Sequence, residues 1–238
     1  MTRTVKPSLL LIVFVLFTLP IFADNLLLDG SFESPGVPSG STCGGYGPAE
    51  CFYVNDNIGN WTVVGKSDNT AAAIMLMTNG YTEPVGGVSG NPTLNFNVEN
   101  GLQAIDLTGE GNQIAGVDGV KQSVNLNPGT YVLSFWLGHQ DSSAPGYTNG
   151  PSMLSLYVDG SPVNVYSNNL NTTDDVTWEQ FTYDFTASGY TTIAFLNDTP
   201  TGNNYAGLDN VVLTQTPEPA SLVLLASGLL GLGILRRK

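Results

Sequence analysis

The sequence predicts an all-β protein: a β-sandwich, of the jelly-roll type, set between two hydrophobic chain ends that stand outside the fold. Three observations predict it. Runs that alternate apolar and polar residues follow one another from residue 61 to residue 213, with Gly, Pro, Asn and Asp between them. Glycine (28) and proline (14) are abundant, and few stretches carry the Ala/Leu/Glu/Lys mixture that helices favour. About ten such runs with no convincing amphipathic helix leave sheet packed on sheet as the available layer arrangement.

The chain divides into three parts: a signal peptide at residues 1–23, the β-sandwich at 24–215, and a sorting tail at 216–238. In the first part Arg3 and Lys6 precede an uncharged, largely apolar run over residues 9–22, and Ala23 supplies the small residue at the cut. Pro20 breaks the helix just before it. An uncleaved anchor is the alternative reading.

Next, residues 26–28 run into the turn dipeptide Asp29-Gly30. Residues 31–60 are rich in Gly and Pro and read mainly as a long loop. Within it Cys43 and Cys51 form a local disulfide in an exported chain, with a pair of free thiols as the bland alternative. Residues 61–64 and 74–77 are short strands. Over 103–108, Ile105 and Leu107 face one way, Ala104 and Asp106 the other. Residues 120–126 alternate, and Asn127-Pro128-Gly129 reads as a turn into a strand over 130–137. That strand is apolar on both faces except at Ser134, so it belongs at the centre of a covered sheet.

Residues 153–158 place Leu154, Leu156 and Val158 on one face, and Asp159-Gly160 makes a tight hairpin into 163–166. Phe181, Tyr183 and Phe185 share a face of the next strand, Ile193 and Phe195 of another, and residues 208–213 close the domain. No internal repeat divides the segment.

Charge narrows the function. Nineteen acidic residues between Asp24 and Thr216 face only Lys66 and Lys121. Such a surface repels phosphate backbones, so nucleic acid is excluded as a partner, while divalent cations and neutral glycans suit it. The lone histidine, His139, reads as a surface residue at a strand end. Pairing with Asp141 as a catalytic base would also need a nucleophile, and neither a nucleophile elbow nor a zinc-binding His pair is present. The expectation is a protein that is not an enzyme; a glycosidase built on two of the many carboxylates is the alternative. Trp136 faces away from Phe135 and Leu137, and Tyr157 away from Leu156 and Val158, so the two aromatics are candidates for stacking on sugar rings from one shared face. Trp136 as an ordinary core residue is the competing reading.

The C-terminal part carries a resemblance. Pro217-Glu218-Pro219 leads into sixteen uncharged residues, 220–235, and then Arg236, Arg237 and Lys238. A run slightly short of a full bilayer span, followed by cations that stay cytoplasmic, describes a tail held briefly at the inner membrane. These three parts in this order resemble the PEP-CTERM sorting signal of exported proteins in Gram-negative bacteria that make exopolysaccharide. The resemblance implies an exosortase as a partner and cleavage near the motif; a plain C-terminal anchor is the bland alternative.

A second resemblance covers most of the remaining chain. Asn25-Leu26-Leu27-Leu28-Asp29-Gly30-Ser31-Phe32-Glu33 is similar to the opening of galactose-binding-like jelly rolls, which include many carbohydrate-binding modules and DUF642-like secreted domains. Asn60-Trp61-Thr62-Val63, the segments 104–109 and 128–135, the strand 178–185 and Leu208-Asp209-Asn210-Val211 follow in family order. The resemblance implies a structural calcium held by Glu33 and Asp209 with backbone carbonyls, or, as the plainer alternative, two carboxylates that accept backbone hydrogen bonds. It further implies a polysaccharide ligand in the exopolysaccharide or biofilm matrix. A structural or adhesive matrix protein with no sugar site is the second expectation.

Overall fold

The computed structural model describes residues 24–45, 47–65, 71–84, 89–109, 117–140, 150–170, 174–200 and 205–216. The signal peptide and the hydrophobic sorting helix expected at the two ends lie outside the described residues, and no described helix is long and apolar enough to cross a membrane. The described residues form twelve strands: β1 (Ala49–Phe52), β2 (Asn57–Ile58), β3 (Trp61–Val64), β4 (Ile74–Thr78), β5 (Tyr81–Pro84), β6 (Thr93–Phe96), β7 (Gln103–Asp106), β8 (Gly119–Gln140), β9 (Ser152–Val158), β10 (Ser161–Asn168), β11 (Val176–Asn197) and β12 (Gly207–Gln215). The all-β expectation holds.

Two strands of 22 residues each, β8 and β11, organise the rest. Their hydrogen-bonded path runs β1-β4-β7-β12-β8-β11-β9-β10, with β3 beside β8 and β2 beside β3. The registers resolve this path into two layers. β12 pairs with residues 131–138 of β8, and β7, β4 and β1 continue outward from it. β3 pairs with residues 119–121 of β8, and β9 pairs with residues 193–197 of β11. The first half of β8 and the second half of β11 therefore belong to a back sheet, and their other halves to a front sheet. A sandwich results from two strands that pass from one layer to the other.

The crossing corrects one sequence expectation. Asn127-Pro128-Gly129 is not a turn between two strands but a corner within β8, and β11 likewise joins the two strands expected around Phe181 and Ile193. The register slips there: Leu126 pairs with Gly189 and Gly129 with Ala187. Pro128, which has no N–H to give, thus sits where the ladder asks for none. Gly189 takes the φ of 84° that a side chain would resist. The Tyr131 hydroxyl donates to the Asn127 carbonyl at 2.6 Å and holds the corner shut.

Between the layers lie Phe32, Trp61, Leu133, Phe135, Leu137, Leu156, Ile193, Phe195 and Leu213, all but sealed from solvent. Phe135 of the front sheet meets Phe195 and Tyr166 of the back sheet at centroid distances of 4.9 and 5.0 Å, both edge-on, the arrangement the ring quadrupoles favour. A second, smaller cluster sits outside the sandwich. Tyr81 and Phe96 of the β5–β6 hairpin pack with Tyr205, Met75 and Met77 on the outer face of the front sheet. The loop expected over residues 31–60 holds β1 and β2, and the disulfide joins Cys43 to Cys51 within β1.

Candidate functional site: the outer face of the front sheet

Alternation along β8 sends Tyr131, Leu133, Phe135 and Leu137 inward and Val132, Ser134 and Trp136 outward. Trp136 lies half-buried between Gln180 of β11 and Asp209 of β12 in the register. Trp178 shares this face two positions along, opposite Gly138. Its ring covers Gly138 and Gly207, where any Cβ would run into it, and its indole N–H donates to the Asn97 carbonyl at 2.8 Å. Gln180 and Thr182 are exposed beside Trp136. Two indoles, an amide and hydroxyls on one surface make a set able to stack on a sugar ring and bond its hydroxyls. Trp178 escaped the sequence reading because only the register places it beside Trp136.

Tyr157 is elsewhere. It pairs with Ala194 on the outer face of the back sheet, so the structure does not bring it onto one face with Trp136. Alternation tells that each aromatic points outward but not from which layer.

Glu33 and Asp209 do meet one segment, as the adjacency of the first and last described segments of the domain requires. Glu33 Oε1 accepts the N–H of Leu102 at 2.7 Å and of Gln103 at 3.1 Å. Asp209 Oδ2 accepts the N–H of Glu99 at 3.0 Å and of Asn100 at 2.8 Å, while Oδ1 accepts that of Asn210 at 2.6 Å. Asn210 has a φ of 47° within the bulge that separates Asp209 from Val212 in the ladder. The plainer alternative, carboxylates gripping backbone, describes these contacts.

The charge at this point is nonetheless poorly compensated. Burial drives the Asp209 carboxyl up to about 7 against its three N–H donors, and the Glu99 carboxylate adds to the rise. A cation fits that charge. The donor set is short, however: among the described residues no three His, Cys, Asp or Glu side chains converge as metal ligands. A calcium ion here would draw most of its oxygens from backbone carbonyls.

Asp106, on the face opposite Ile105, is 2% exposed, because the second cluster and Tyr205 close over the front sheet there. Burial raises it to about 7; its oxygens accept from Thr108 N–H (2.9 Å), Thr108 Oγ1 (2.8 Å) and Ala206 N–H (3.1 Å). Burial and the charges of Asp106 and Asp209 hold the Tyr205 hydroxyl well above its ordinary value. His139 is a correction. It lies inside β8, 4% exposed, with Nδ1 3.0 Å from Ser152 Oγ. The Ser152 hydroxyl gives its proton to the Tyr205 carbonyl at 2.5 Å, so the imidazole donates to the serine and does not draw a proton from it.

Comparisons with known proteins bear on the whole chain. No curated protein matches it. Among solved structures it is similar to TmCBM61 in complex with beta-1,4-galactotriose, at 17% identity and TM-score 0.41, covering 82% of this chain and 100% of that one. It is also similar to a family 35 carbohydrate binding module from Clostridium thermocellum (12% identity, TM-score 0.38, 71% and 100% covered). The K1 cleaved adhesin domain of Lys-gingipain from Porphyromonas gingivalis W83 gives 16% identity and TM-score 0.41 over 71% and 98%. Likeness at this level assigns no role to any residue. The C-terminal residues are more specific: 215–238, which contain Pro217-Glu218-Pro219 and the terminal Arg236, Arg237 and Lys238, match the PEP-CTERM protein-sorting motif, and the chain is thereby an exosortase-sorted protein, marked for export to the cell envelope or beyond.

Proposed function

We propose that residues 1–23 are removed as a signal peptide and that the tail is cut near Pro217 in the inner membrane of a Gram-negative cell. The domain 24–215 then serves as a non-catalytic binding module for a polysaccharide of the extracellular matrix. The observation that supports the binding role best is Trp136, an indole left half-open on a sheet face between an exposed amide, Gln180, and hydroxyl neighbours. The acidic surface suits an uncharged polymer. The orientation of the His139–Ser152 hydrogen bond supports the non-catalytic reading, since it is the reverse of what activates a nucleophile. Calcium at Glu33 and Asp209 belongs to the same proposal as a structural ion.

The test is titration of the protein with neutral β-linked oligosaccharides, with and without calcium. Trp136→Ala is expected to weaken binding about tenfold, the scale of one lost aromatic stacking contact of about 1.5 kcal/mol. Equal binding by Trp136→Ala and wild type, or no binding to any neutral glycan, would overturn the proposal.

A further inference from the structure

The outer face of the back sheet has a different chemistry. Lys121 is the only Lys or Arg among the described residues, in a chain of twenty acidic side chains. Its side chain is exposed and makes no ion pair or hydrogen bond among those residues. It stands at the rim of a cavity of about 250 Å³, with Thr62, Ser123 and Tyr190 among the lining residues. Tyr190 is 77% exposed, far more than a tyrosine needs for its hydroxyl to reach water. The register completes the surface. Thr62, Lys121, Ala194 and Tyr157 lie in one row across β3, β8, β11 and β9, so a second tyrosine stands on the same face, two strands from Lys121. Ser123 Oγ and Thr192 Oγ1, 2.7 Å apart, supply hydroxyls in the next row.

We propose that this face is a second glycan site, separate from the Trp136 face, that takes a uronic acid carried on an otherwise neutral saccharide. Tyr190 offers its ring for the sugar, Thr62 and Ser123 bond its hydroxyls, Lys121 pairs with its carboxylate, and Tyr157 stands along the same face for the rest of the chain of sugars. The cavity accommodates about one monosaccharide. The charge distribution selects the sparse anion: a polymer charged at every residue meets the repulsion of the whole domain over a Debye length of about 8 Å. An isolated carboxylate pays little of that and gains the one close ion pair. Residue 121 is thus a specificity determinant and not part of a general anion-binding patch.

The test compares two ligands by calorimetry: a xylotriose bearing one glucuronic acid, and the same oligosaccharide with its carboxyl reduced to the alcohol. Wild type is expected to bind the acid at least tenfold more tightly than the alcohol. Lys121→Gln should bring that ratio to about one, Lys121→Arg should retain part of it, and Tyr190→Ala should weaken both ligands. Trp136→Ala should leave the ratio as in wild type, which separates this site from the neutral-glycan site whether or not the latter exists. A wild-type ratio of one, no binding of the acid, or a ratio untouched by Lys121→Gln would each overturn the proposal.

Discussion

The two outer faces of this sandwich use the same pair of long strands and reach opposite results. On the front sheet the β5–β6 hairpin and Tyr205 close over part of the surface, so Asp106 and Asp209 are sealed in with no basic side chain near them among the described residues. On the back sheet nothing covers the surface among the described residues, and the one described cation stands in the open. Both faces alternate from β8 and β11, so strand periodicity does not set the difference. The segments laid over each sheet decide it, and with it whether a polar residue becomes a buried liability or an accessible contact.

The sharpest way to break the comparison is to remove what the two sheets share. Phe135→Ala takes out the ring on which both layers close, and a loss of about 3–5 kcal/mol is expected in urea unfolding, with exchange protection falling in front and back sheets together. Phe96→Ala should act locally. Protection would fall in β5, β6 and the Tyr205 segment while β9 and β10 keep theirs. Coincident loss everywhere from Phe96→Ala would mean the outer cluster is part of the main core.

A middle-sized effect follows from pH. Asp106 and Asp209 both have folded-state pKa values raised from 3.8 to about 7, chiefly by burial. Their ionised forms are disfavoured in the folded state, so the protein gains stability as pH falls from above 7 towards 4 and loses it on the way back. Each raised unit is worth about 1.4 kcal/mol, so a change on the order of a few kcal/mol across this window is expected in the urea midpoint. Calcium sharpens the test. If it binds at Asp209 it favours the ionised form, and added calcium at pH 8 should then recover much of the lost stability, whereas EDTA should not alter the profile at pH 5. An identical pH profile with and without calcium would remove the ion from the proposal.

The smallest effect isolates the grip on residues 99–103. Glu33→Ala removes the acceptor for two backbone N–H groups in a partly exposed setting, and about 1 kcal/mol is expected, read as a lower melting temperature with unchanged glycan binding.

How much of this was legible in the sequence varies by element. The β9–β10 hairpin was, because Asp159 and Gly160 adopt φ of 51° and 75°, a backbone that Asp-Gly accepts and few other pairs do. Trp61 to Val64 appears as β3 with the bounds the pattern indicates. The corner at Pro128 was not legible, since Asn-Pro-Gly encodes a break in the ladder without stating whether the chain reverses or continues. His139 was misplaced, and the burial of Asp106 was not legible, for one reason: alternation assigns a residue to a face, and only the chain folded over that face decides its burial. The same limit separated Trp136 from Tyr157 and hid Trp178, whose neighbour across the sheet is 40 residues earlier in sequence.

The adjacency of Asn25 and β12 has a mechanical side. Asn25 donates from Nδ2 to the Val211 carbonyl at 2.8 Å and accepts the Leu213 N–H at 2.8 Å, so the start of the domain is laced onto its final strand. That strand, β12, lies between β7 and β8, not at an edge. A tether pulling along the strand at Thr216 must therefore shear the β8 ladder and the Asn25 lacing at once, and a domain hung from this end resists tension far better than one that peels open bond by bond.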